Sequence, residues 1–472
     1  MPLHRRATAV AAGAALLAVV GFAQVTATAA PLPDDGAPCA QDTAATRYLV
    51  LFDRGTPAPD AATAVTLACG STLVFHAPIA VAVVTSADSR FADRIGRDRA
   101  FSADAALGRV PALEPLPTPA EPVPTADRTG EQWDMDLIGA PQAHEESTGS
   151  RDVLVGVLDS GIDATHPDLA GAVDPAVSAG CLSGVADPSP AAWAPTTSTH
   201  GTHVAGIIAA ADDGRGVTGV APGVRLAAIK VVDDRGMVLP EAVVCGVMWA
   251  VEHGVRVAND SFSVDPWQLT CDRGEERVVF EAVRRAVDYA TDQGVLTVAA
   301  ATNGGLDLAD PGGEAADLDG GRRALDPGCE VLPGGLRGVL TVSAVGPDGL
   351  KAGYSSYGLG AIDVTAPGGE QRDGVDRCVL STVPGGYADA CGTSMATPHA
   401  TGVAALLASA HPTASPQQLT RMITEDAGSV PCPADYDLDG SGVQDAYCSG
   451  YAPFNSFYGH GLVDALAATS SS

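Results

Sequence analysis

The chain has 472 residues, of which 46% are hydrophobic and 18% are charged, so it is long enough for more than one domain and has a globular rather than a disordered composition. Its 57 acidic side chains outnumber 27 lysines and arginines and give a formal net charge of −30. This charge argues against nucleic acid and against an anionic membrane as partners, because both select basic surfaces.

The first residues have the pattern of a secretory signal peptide. A short basic region, His4 to Arg6, precedes an apolar run from about Ala9 to Ala23, and Ala27-Thr28-Ala29 offers a cleavage site. The apolar run is short for a membrane span, and no later stretch suits an anchor. We therefore predict a signal peptide over residues 1–29 and a secreted, extracellular protein without a membrane anchor.

Residues 30–110 predict a small α+β module in the order β-α-β-β-α. Six prolines between Pro111 and Pro124 then predict a stiff linker over residues 111–128, where proteolytic separation is expected. The strands are expected at 47–52, 72–75 and 79–84, and the helices at 60–68 and 89–99.

From Trp133 onward, buried strands alternate with amphipathic helices, which indicates a parallel sheet wrapped by helices. Ser415, Pro416 and Gln418 also predict a capped helix start. Strands are expected at 153–158, 226–232, 255–258, 295–300, 339–345 and 362–365, and helices at 203–211, 241–252, 275–292 and 394–407.

Ten cysteines in an exported chain predict disulfide bonds, and none lies in a CxxC zinc pattern. Sequence does not fix their pairing, but proximity favours particular pairs. These are Cys39–Cys69, Cys378–Cys391 and Cys432–Cys448, followed by Cys181–Cys245 and Cys271–Cys329.

Three residues have positions suited to chemistry. Asp159 ends a buried strand, at the edge where α/β sheets gather reacting groups. His200 opens an apolar helix, and Ser394 lies at another helix N-terminus, which favours a developing negative charge. Each also has a structural reading: a turn-opening aspartate, a capping or metal-binding histidine, and an N-cap serine.

The order Asp, His, Ser is that of the subtilisin triad. The segments 157–161, 200–206, 299–303 and 392–398 resemble, in sequence and order, the motifs of the subtilisin-like serine peptidases (subtilase family, S8-type). The resemblance implies an α/β, three-layer fold with a mainly parallel central sheet over residues 129–472. It also implies that the preceding module is a ferredoxin-like propeptide that inhibits the enzyme.

The resemblance assigns roles to four residues. Ser394 is expected to be the nucleophile and His200 the general base, with Asp159 fixing the tautomer of His200. Asn303 is expected to donate to the oxyanion beside the backbone N–H of Ser394. His203 matches a second histidine of the family and is interpreted as structural.

The substrate pocket departs from the family pattern. Thr302 precedes the oxyanion asparagine where the family usually has glycine, and Ser263 replaces another glycine. Both are bulkier than glycine, so a narrowed or reshaped pocket is expected. The residues assigned to this pocket are Ser261, Phe262, Ser263, Ala301 and Thr302.

No cofactor is expected for the chemistry, but structural calcium is possible. Asp435, Asp437 and Asp439 have the spacing of a calcium loop, although Ala446 occupies the twelfth position and Asp445 is the nearest carboxylate. A weak calcium site and a solvated acidic loop both remain open. Two further residues, Asp168 and Asp213, resemble positions of a family calcium site.

The segment 214–219 matches GxGxxG, but it follows a helix and precedes a strand, the reverse of a dinucleotide site. We therefore predict a secreted, monomeric serine endopeptidase that is made as an autoprocessed zymogen and acts on proteins or peptides. The alternatives are a catalytically silent scaffold protein and a dedicated processing protease with narrow specificity.

Overall fold

The computed structural model describes residues 38–41, 43–108, 111–115, 123, 126–316, 322–372, 375–438 and 441–470. The predicted signal peptide lies outside the described residues, and so does part of the predicted linker. Two main sheets organise the described chain: a four-stranded antiparallel sheet near the N-terminus and a seven-stranded parallel sheet after it.

The N-terminal module has its own core, which includes Val50, Val65 and Phe91, and its sheet has the order β2-β3-β1-β4. Its second helix is shorter than predicted, because Gly96 takes a φ of +108° and turns the chain toward β4. The elements are β1 Thr46–Leu51, α1 Ala58–Leu67, β2 Ser71–His76, β3 Val81–Ser86, α2 Phe91–Ile95, β4 Ala100–Phe101 and α3 Ala103–Leu107.

The central sheet has the order β15-β14-β10-β8-β5-β7-β6, and all its pairings are parallel. The strand predicted to start at Val255 begins at Val257 instead, because the N–H of Val255 still donates to the carbonyl of Ala250 in the preceding helix, at 3.0 Å. The strands are β5 Leu154–Asp159, β6 Ala179–Gly180, β7 Arg225–Lys230, β8 Val257–Asp260, β10 Leu296–Ala300, β14 Leu340–Val345 and β15 Val364–Pro367.

Helices cover both faces of this sheet, which confirms the predicted three-layer α/β fold. One face packs on α7 and α10, and the other packs on α8 and α9. The predicted capping box is formed, with Ser415 and Gln418 bonding to each other's backbone N–H. The helices are α4 Trp133–Leu137, α5 Ala140–Glu146, α6 Pro190–Trp193, α7 His200–Ala209, α8 Pro240–Glu252, α9 Glu276–Asp292, α10 Thr393–Ala410, α11 Pro416–Asp426 and α12 Ala465–Ser470.

The N-terminal module packs on α8 and α9 through one face of its sheet. Leu49, Val81 and Val83 of the module share a continuous apolar core with residues of these two helices. Burial of this kind contributes about 25 cal/mol for each Å² of apolar surface removed from water. The module is therefore held by apolar packing on the face of α8 and α9 that lies away from the central sheet.

All five predicted disulfides are formed: Cys39–Cys69, Cys181–Cys245, Cys271–Cys329, Cys378–Cys391 and Cys432–Cys448. Five short antiparallel strand pairs lie outside the two main sheets of the described chain. They are β9 Thr270–Cys271 with β13 Cys329–Glu330, β11 Gly313–Ala316 with β12 Arg322–Leu325, β16 Glu370–Arg372 with β17 Val375–Arg377, β18 Val379–Val383 with β19 Gly386–Ala390, and β20 Gly450–Tyr451 with β21 Phe454–Asn455.

A buried lysine anchors the segment that carries the last disulfide. Lys351 is 1% exposed, and its ammonium donates to the carbonyl of Ser355 at 2.7 Å. The rings of Tyr357, Tyr436 and Phe457 surround it at 5.1 to 5.3 Å. Burial lowers the pKa of Lys351 to about 8. The cation–π contacts and hydrogen bond compensate part of the cost of burying this charge.

Within the described ranges, no helix combines the length and the apolar content needed to cross a bilayer.

Candidate active site

Three of the predicted site residues lie at or beside the carboxyl edge of the central sheet. Asp159 is the last residue of β5 and is 1% exposed. His200 is the first residue of α7, and Ser394 is the second residue of α10. The parallel sheet therefore brings positions that are distant in sequence to the edge where α/β proteins bind ligands.

Asp159 and His200 are in direct contact. Nδ1 of His200 lies 2.8 and 2.9 Å from the two carboxylate oxygens of Asp159. Burial opposes the charged imidazolium, but the charge of Asp159 and its hydrogen bond outweigh burial and raise the pKa of His200. A Cβ at Gly201 would lie 2.5 Å from the carbonyl oxygen of Gly161, so only glycine lets the helix approach the strand this closely.

Ser394 is not hydrogen-bonded to His200 among the described residues. Its hydroxyl instead donates to the carbonyl of Ser261, with 3.0 Å between the oxygens. The hydroxyl of Ser261 in turn donates to the carbonyl of Ser394 at 2.9 Å. The structure thus joins Asp159 to His200, and joins Ser394 to the end of β8.

Two residues that the sequence analysis did not identify support this contact. The amide nitrogen of Asn259 donates to the hydroxyl of Ser261 at 2.9 Å, and the hydroxyl of Thr401 donates to Asn259 Oδ1 at 2.9 Å. Asn259 and Thr401 are both fully buried. This polar chain locks the end of β8 to α10 and so fixes the position of Ser394 relative to the sheet.

The side chain of Asn303 has a defined orientation. Its Oδ1 accepts from the backbone N–H of Thr393 at 2.9 Å and from the hydroxyl of Thr393 at 2.8 Å. Because a backbone N–H can only donate, the atom facing it must be the amide oxygen. Nδ2 of Asn303 therefore remains available as a hydrogen-bond donor, and the residue is exposed.

Two N–H donors face one volume beside Gly392. A Cβ built on Gly392 would lie 3.3 Å from Nδ2 of Asn303 and 3.6 Å from the backbone nitrogen of Ser394. The N–H of Ser394 is in the first turn of α10, where no residue four positions earlier accepts within the helix. Two convergent donors beside a serine hydroxyl form the arrangement that stabilises a tetrahedral oxyanion.

The residues assigned to the substrate pocket have unequal exposure. Phe262 and Ser263 are half-buried, whereas Ser261 and Ala301 are buried. Thr302 is 7% exposed, and its hydroxyl lies 3.0 Å from the hydroxyl of Ser356. Thr302 therefore turns its hydroxyl into the protein, although its bulk had suggested a narrowed pocket.

His203 lies one turn after His200 and is 2% exposed. Burial and repulsion from His200 lower the pKa of His203 to about 4. Its Nε2 is 3.0 Å from the carbonyl of Ala388 and 3.1 Å from that of Val379, so the neutral ring bridges the β18–β19 hairpin to α7. These contacts favour the structural interpretation of His203.

Asp168 and Asp213, the pair that resembles a family calcium site, are near enough for their charges to interact. Oδ2 of the buried Asp168 accepts from the backbone N–H of Val217 at 3.1 Å and the hydroxyl of Tyr387 at 3.0 Å. Oδ1 of Asp213 accepts from the N–H of Arg215, and Asp213 is exposed. Burial raises the pKa of Asp168, and the charge of Asp213 adds to that rise. Hydrogen-bond donors, rather than further oxygen ligands, face the Asp168 oxygen that makes these contacts.

The acidic loop near the C-terminus turns its carboxylates toward donors within the loop. Asp437 accepts from the backbone N–H groups of Ser441 and Gly442, and Asp445 accepts from that of Leu438. Asp435 accepts from the side chain of Gln444. Asp439 lies outside the described residues. The described oxygens do not converge on a common point, so their arrangement does not fit a calcium cage and calcium binding there stays a prediction.

Comparisons with known proteins point to one family. The family model described as "Subtilase family" matches residues 150–461. Fervidolysin of Fervidobacterium pennivorans is 32% identical over 335 residues, which cover 66% of this chain and 42% of fervidolysin. Subtilisin Savinase of Lederbergia lenta is 33% identical over 315 residues, which cover 66% of this chain and 96% of Savinase.

Solved structures show the same fold at lower identity. The epidermin leader peptide processing serine protease of Staphylococcus aureus has a TM-score of 0.65 at 20% identity, covering 90% of this chain and 98% of that one. The nisin leader peptidase of Lactococcus lactis has a TM-score of 0.57 at 22% identity, covering 73% and 94% of the two chains. At these identities the likeness concerns the fold alone.

Proposed function

This chain belongs to the subtilase family of serine endopeptidases, and we propose that it hydrolyses peptide bonds through Asp159, His200 and Ser394 by way of an acyl-enzyme intermediate. The observation that carries this assignment is the contact of His200 Nδ1 with both carboxylate oxygens of Asp159, at 2.8 and 2.9 Å. That contact favours the tautomer of His200 with its proton on Nδ1, in which Nε2 is free to accept a proton, and it stabilises the imidazolium that then forms.

In the first step, the Ser394 hydroxyl leaves the carbonyl of Ser261 and turns to His200, a contact that often forms only when substrate binds. Oγ of Ser394 attacks the carbonyl carbon of the scissile bond as His200 Nε2 takes its proton. The resulting imidazolium is stabilised by Asp159. His200 then protonates the departing amine, and water attacks the acyl-enzyme by the same route.

The negative charge of the tetrahedral intermediate develops on the former carbonyl oxygen. Nδ2 of Asn303 and the N–H of Ser394 donate to this oxygen in the volume beside Gly392. One such side-chain donor is worth roughly 10²–10³ in rate, a magnitude that was obtained on a subtilisin. Asn303 is suited to this role because its amide oxygen is occupied by two hydrogen bonds from Thr393, which leaves Nδ2 to donate.

The N-terminal module is proposed to be an inhibitory propeptide, and the chain a zymogen that cleaves itself within about residues 109–128. The module is supported in this role by its apolar packing on α8 and α9. Beyond it, the N–H of Leu113 donates to the carbonyl of Asp234 at 2.7 Å, in the loop after β7. Cleavage of the following linker would free the module to leave.

Secretion into an oxidising environment is proposed from the signal peptide predicted over residues 1–29 and supported by the five disulfides. Proteins and peptides are the substrates proposed, and the mature enzyme is expected to be a monomer. Structural calcium at Asp168 and Asp213 remains a proposal, and chelation that leaves the melting temperature unchanged would argue against it.

The central test is replacement of Ser394 by alanine in the full chain. The wild-type protein should process itself and be labelled by a serine-directed fluorophosphonate, whereas Ser394→Ala should accumulate as an unprocessed precursor without label. Ser189→Ala, at an exposed serine, is the matched control and should behave as wild type. A wild-type protein that takes no label would exclude the proposed activity and leave the silent scaffold protein.

The breadth of substrate specificity distinguishes a general endopeptidase from the remaining alternative, a dedicated processing protease. A general endopeptidase should cleave casein and many members of a peptide library, whereas a dedicated processing protease should cleave a narrow sequence class. Cleavage of only one sequence class would establish the dedicated enzyme in place of the general one.

A further inference from the structure

Thr302 adopts a backbone conformation that its residue type disfavours. Its φ is +77°, in the left-handed region, where a β-branched side chain is a genuine outlier. Only three residues other than glycine have a positive φ in the described parts of the chain, and Thr302 is the one immediately before Asn303. Backbone strain of this kind persists only where the surroundings enforce it, and it concentrates at functional sites.

The segment around Ser356 holds Thr302 in this conformation through hydrogen bonds. The hydroxyls of Thr302 and Ser356 are 3.0 Å apart, and the N–H of Ser356 donates to the carbonyl of Thr302 at 3.0 Å. Oγ of Ser356 also accepts from the N–H of Leu306 at 3.1 Å. Ser356 is fully buried. One serine thus binds the chain on both sides of Asn303.

Further backbone contacts extend this attachment. The N–H of Gly305 donates to the carbonyl of Tyr354 at 2.8 Å, and the N–H of Tyr357 donates to the carbonyl of Leu306 at 2.9 Å. The loop that carries Asn303 is therefore bonded along its length to residues 354–357. Thr302 contributes a side-chain contact to this attachment that glycine, with no side chain, could not make.

We propose that Thr302 is a positioning residue: its hydrogen bonds to Ser356 orient the side-chain amide of Asn303 toward the oxyanion. On this view Thr302 does not form a wall of the substrate pocket. This inference rests on the proposed function, in which Asn303 donates to the oxyanion. The hydroxyl contact compensates for the left-handed backbone and fixes the direction in which the chain leaves Thr302. The side chain of Asn303 then reaches Thr393 at one end and the volume beside Gly392 at the other.

The test compares variants of the mature enzyme, with active sites counted by titration. Thr302→Val keeps the branched shape and removes the hydroxyl, so kcat should fall about tenfold or more while KM changes less than about twofold. Thr302→Ser keeps the hydroxyl and should retain kcat within about twofold. Ser356→Ala should reproduce the loss seen in Thr302→Val, and it carries the same test if Thr302→Val does not accumulate.

A double-mutant cycle with Asn303→Ala shows whether Thr302 acts through Asn303. If it does, Thr302→Val should have almost no further effect once Asn303 is alanine, and the preference for the substrate residue before the cut should be unchanged. Equal losses in both backgrounds, an unchanged kcat in both hydroxyl-removing variants, or a shifted substrate preference would each overturn the inference. A wild-type enzyme that neither labels nor hydrolyses would instead refute the proposed function.

Discussion

Gly392 keeps a small volume empty at the N-terminus of α10. Nδ2 of Asn303 and the N–H of Ser394 both face this volume. A methyl group on Gly392 would occupy it, at 3.3 Å from one donor and 3.6 Å from the other. The proposed chemistry therefore requires a residue without a side chain here, in addition to the backbone conformation, whose φ of +156° also favours glycine.

We expect Gly392→Ala to lower kcat by roughly 10²–10³, because the methyl group excludes the substrate oxygen from both donors. Alanine at this residue also strains the backbone, whose φ is +156°, and its methyl contacts Asn303 tightly, so some loss of melting temperature is expected beside the loss of kcat. Hydrolysis of a peptide substrate and the melting temperature would be measured together. Gly386→Ala is the matched control, since no atom lies within 4 Å of its added methyl, and it should keep full activity. Full activity of Gly392→Ala would contradict the assigned oxyanion volume.

The single residues that sequence could identify are those with a motif around them. Asp159, His200, Asn303 and Ser394 were predicted from four short segments in a fixed order. Asn259 and Thr401 were not, because their contact joins positions 142 residues apart and any buried Asn or Thr has many potential partners. Only the fold decides which of those partners lies within hydrogen-bond distance.

Among the elements, β8 carries a carboxyl group without a compensating partner. Asp260 ends this strand, is fully buried, and has no hydrogen-bond partner for either carboxylate oxygen among the described residues. Burial, with repulsion from Asp159 one strand away, raises the pKa of Asp260 to about 8. The carboxyl group is therefore protonated in the folded protein at neutral pH.

This group should make the folded protein less stable as the pH rises from about 4 to about 8. An unfolded chain releases the Asp260 proton near pH 4, whereas the folded chain keeps it until about pH 8. Between these values the folded state binds more protons, so the free energy of unfolding falls as the pH rises. Asp260→Asn, which cannot ionise, should remove this part of the slope.

The measurement is the melting temperature at about pH 5 and about pH 8, in a Ser394→Ala background that prevents self-digestion. The protein with Asp260 should lose more stability between these two values than the Asp260→Asn variant. Asp152→Asn, in an exposed turn before β5, is the control and should leave the slope unchanged. Identical slopes with and without Asp260 would show that the carboxyl group is not buried in its neutral form.

Element types were predicted well where the apolar pattern was continuous, as for β5, β10 and α9. Boundaries were less accurate where a glycine or a cap ends an element, as at α2 and β8. The anchoring of the C-terminal segment was not predicted, because a single lysine in a polar stretch normally indicates a solvated surface. Lys351 is surrounded by the ring of Tyr357, six residues on, and by two rings from about 85 and 106 residues further along the chain, Tyr436 and Phe457.

At the scale of the whole molecule, an arginine of α9 bonds directly to the N-terminal module. Arg285 of α9 is 9% exposed, and its guanidinium donates to the carbonyls of Phe52 and Ile79 in the N-terminal module, at 2.8 and 3.1 Å. Glu281, one turn earlier, accepts a hydrogen bond from Nε of Arg285 at 2.7 Å and offsets the charge of the guanidinium. This contact adds charge-assisted hydrogen bonds to the apolar packing of the module on α8 and α9.

We expect Arg285→Ala to weaken retention of the module after self-cleavage by roughly 2–4 kcal/mol, or about 30- to 1,000-fold in affinity, since two carbonyls lose a charged donor. The processed protein should then lose the module on size-exclusion chromatography, where the wild type keeps more of it. Arg284→Ala is the control, because Arg284 bonds to Glu281 and Asp288 within its own helix. Equal retention in both variants would remove Arg285 from the proposed inhibitory contact.

Composition and element order predict a module, a linker and a larger domain, but they do not predict where the module packs. The face of α8 and α9 that receives it has the apolar pattern of any core helix. Nothing in a local pattern distinguishes an apolar face that packs on its own sheet from one that packs on a second sheet.

The arrangement of the active site around one sheet edge also has a consequence for the timing of biosynthesis. Ser261 and Ser394 are separated by 133 residues, which a ribosome takes about 7–27 s to add at about 5–20 residues per second. Ser394, the proposed nucleophile, is therefore translated last of the residues proposed for catalysis, long after the module that packs on α8 and α9. A nascent chain holds its proposed inhibitor before it holds a complete triad, so hydrolytic competence is expected to arise only once α10 has been made and has packed against the sheet.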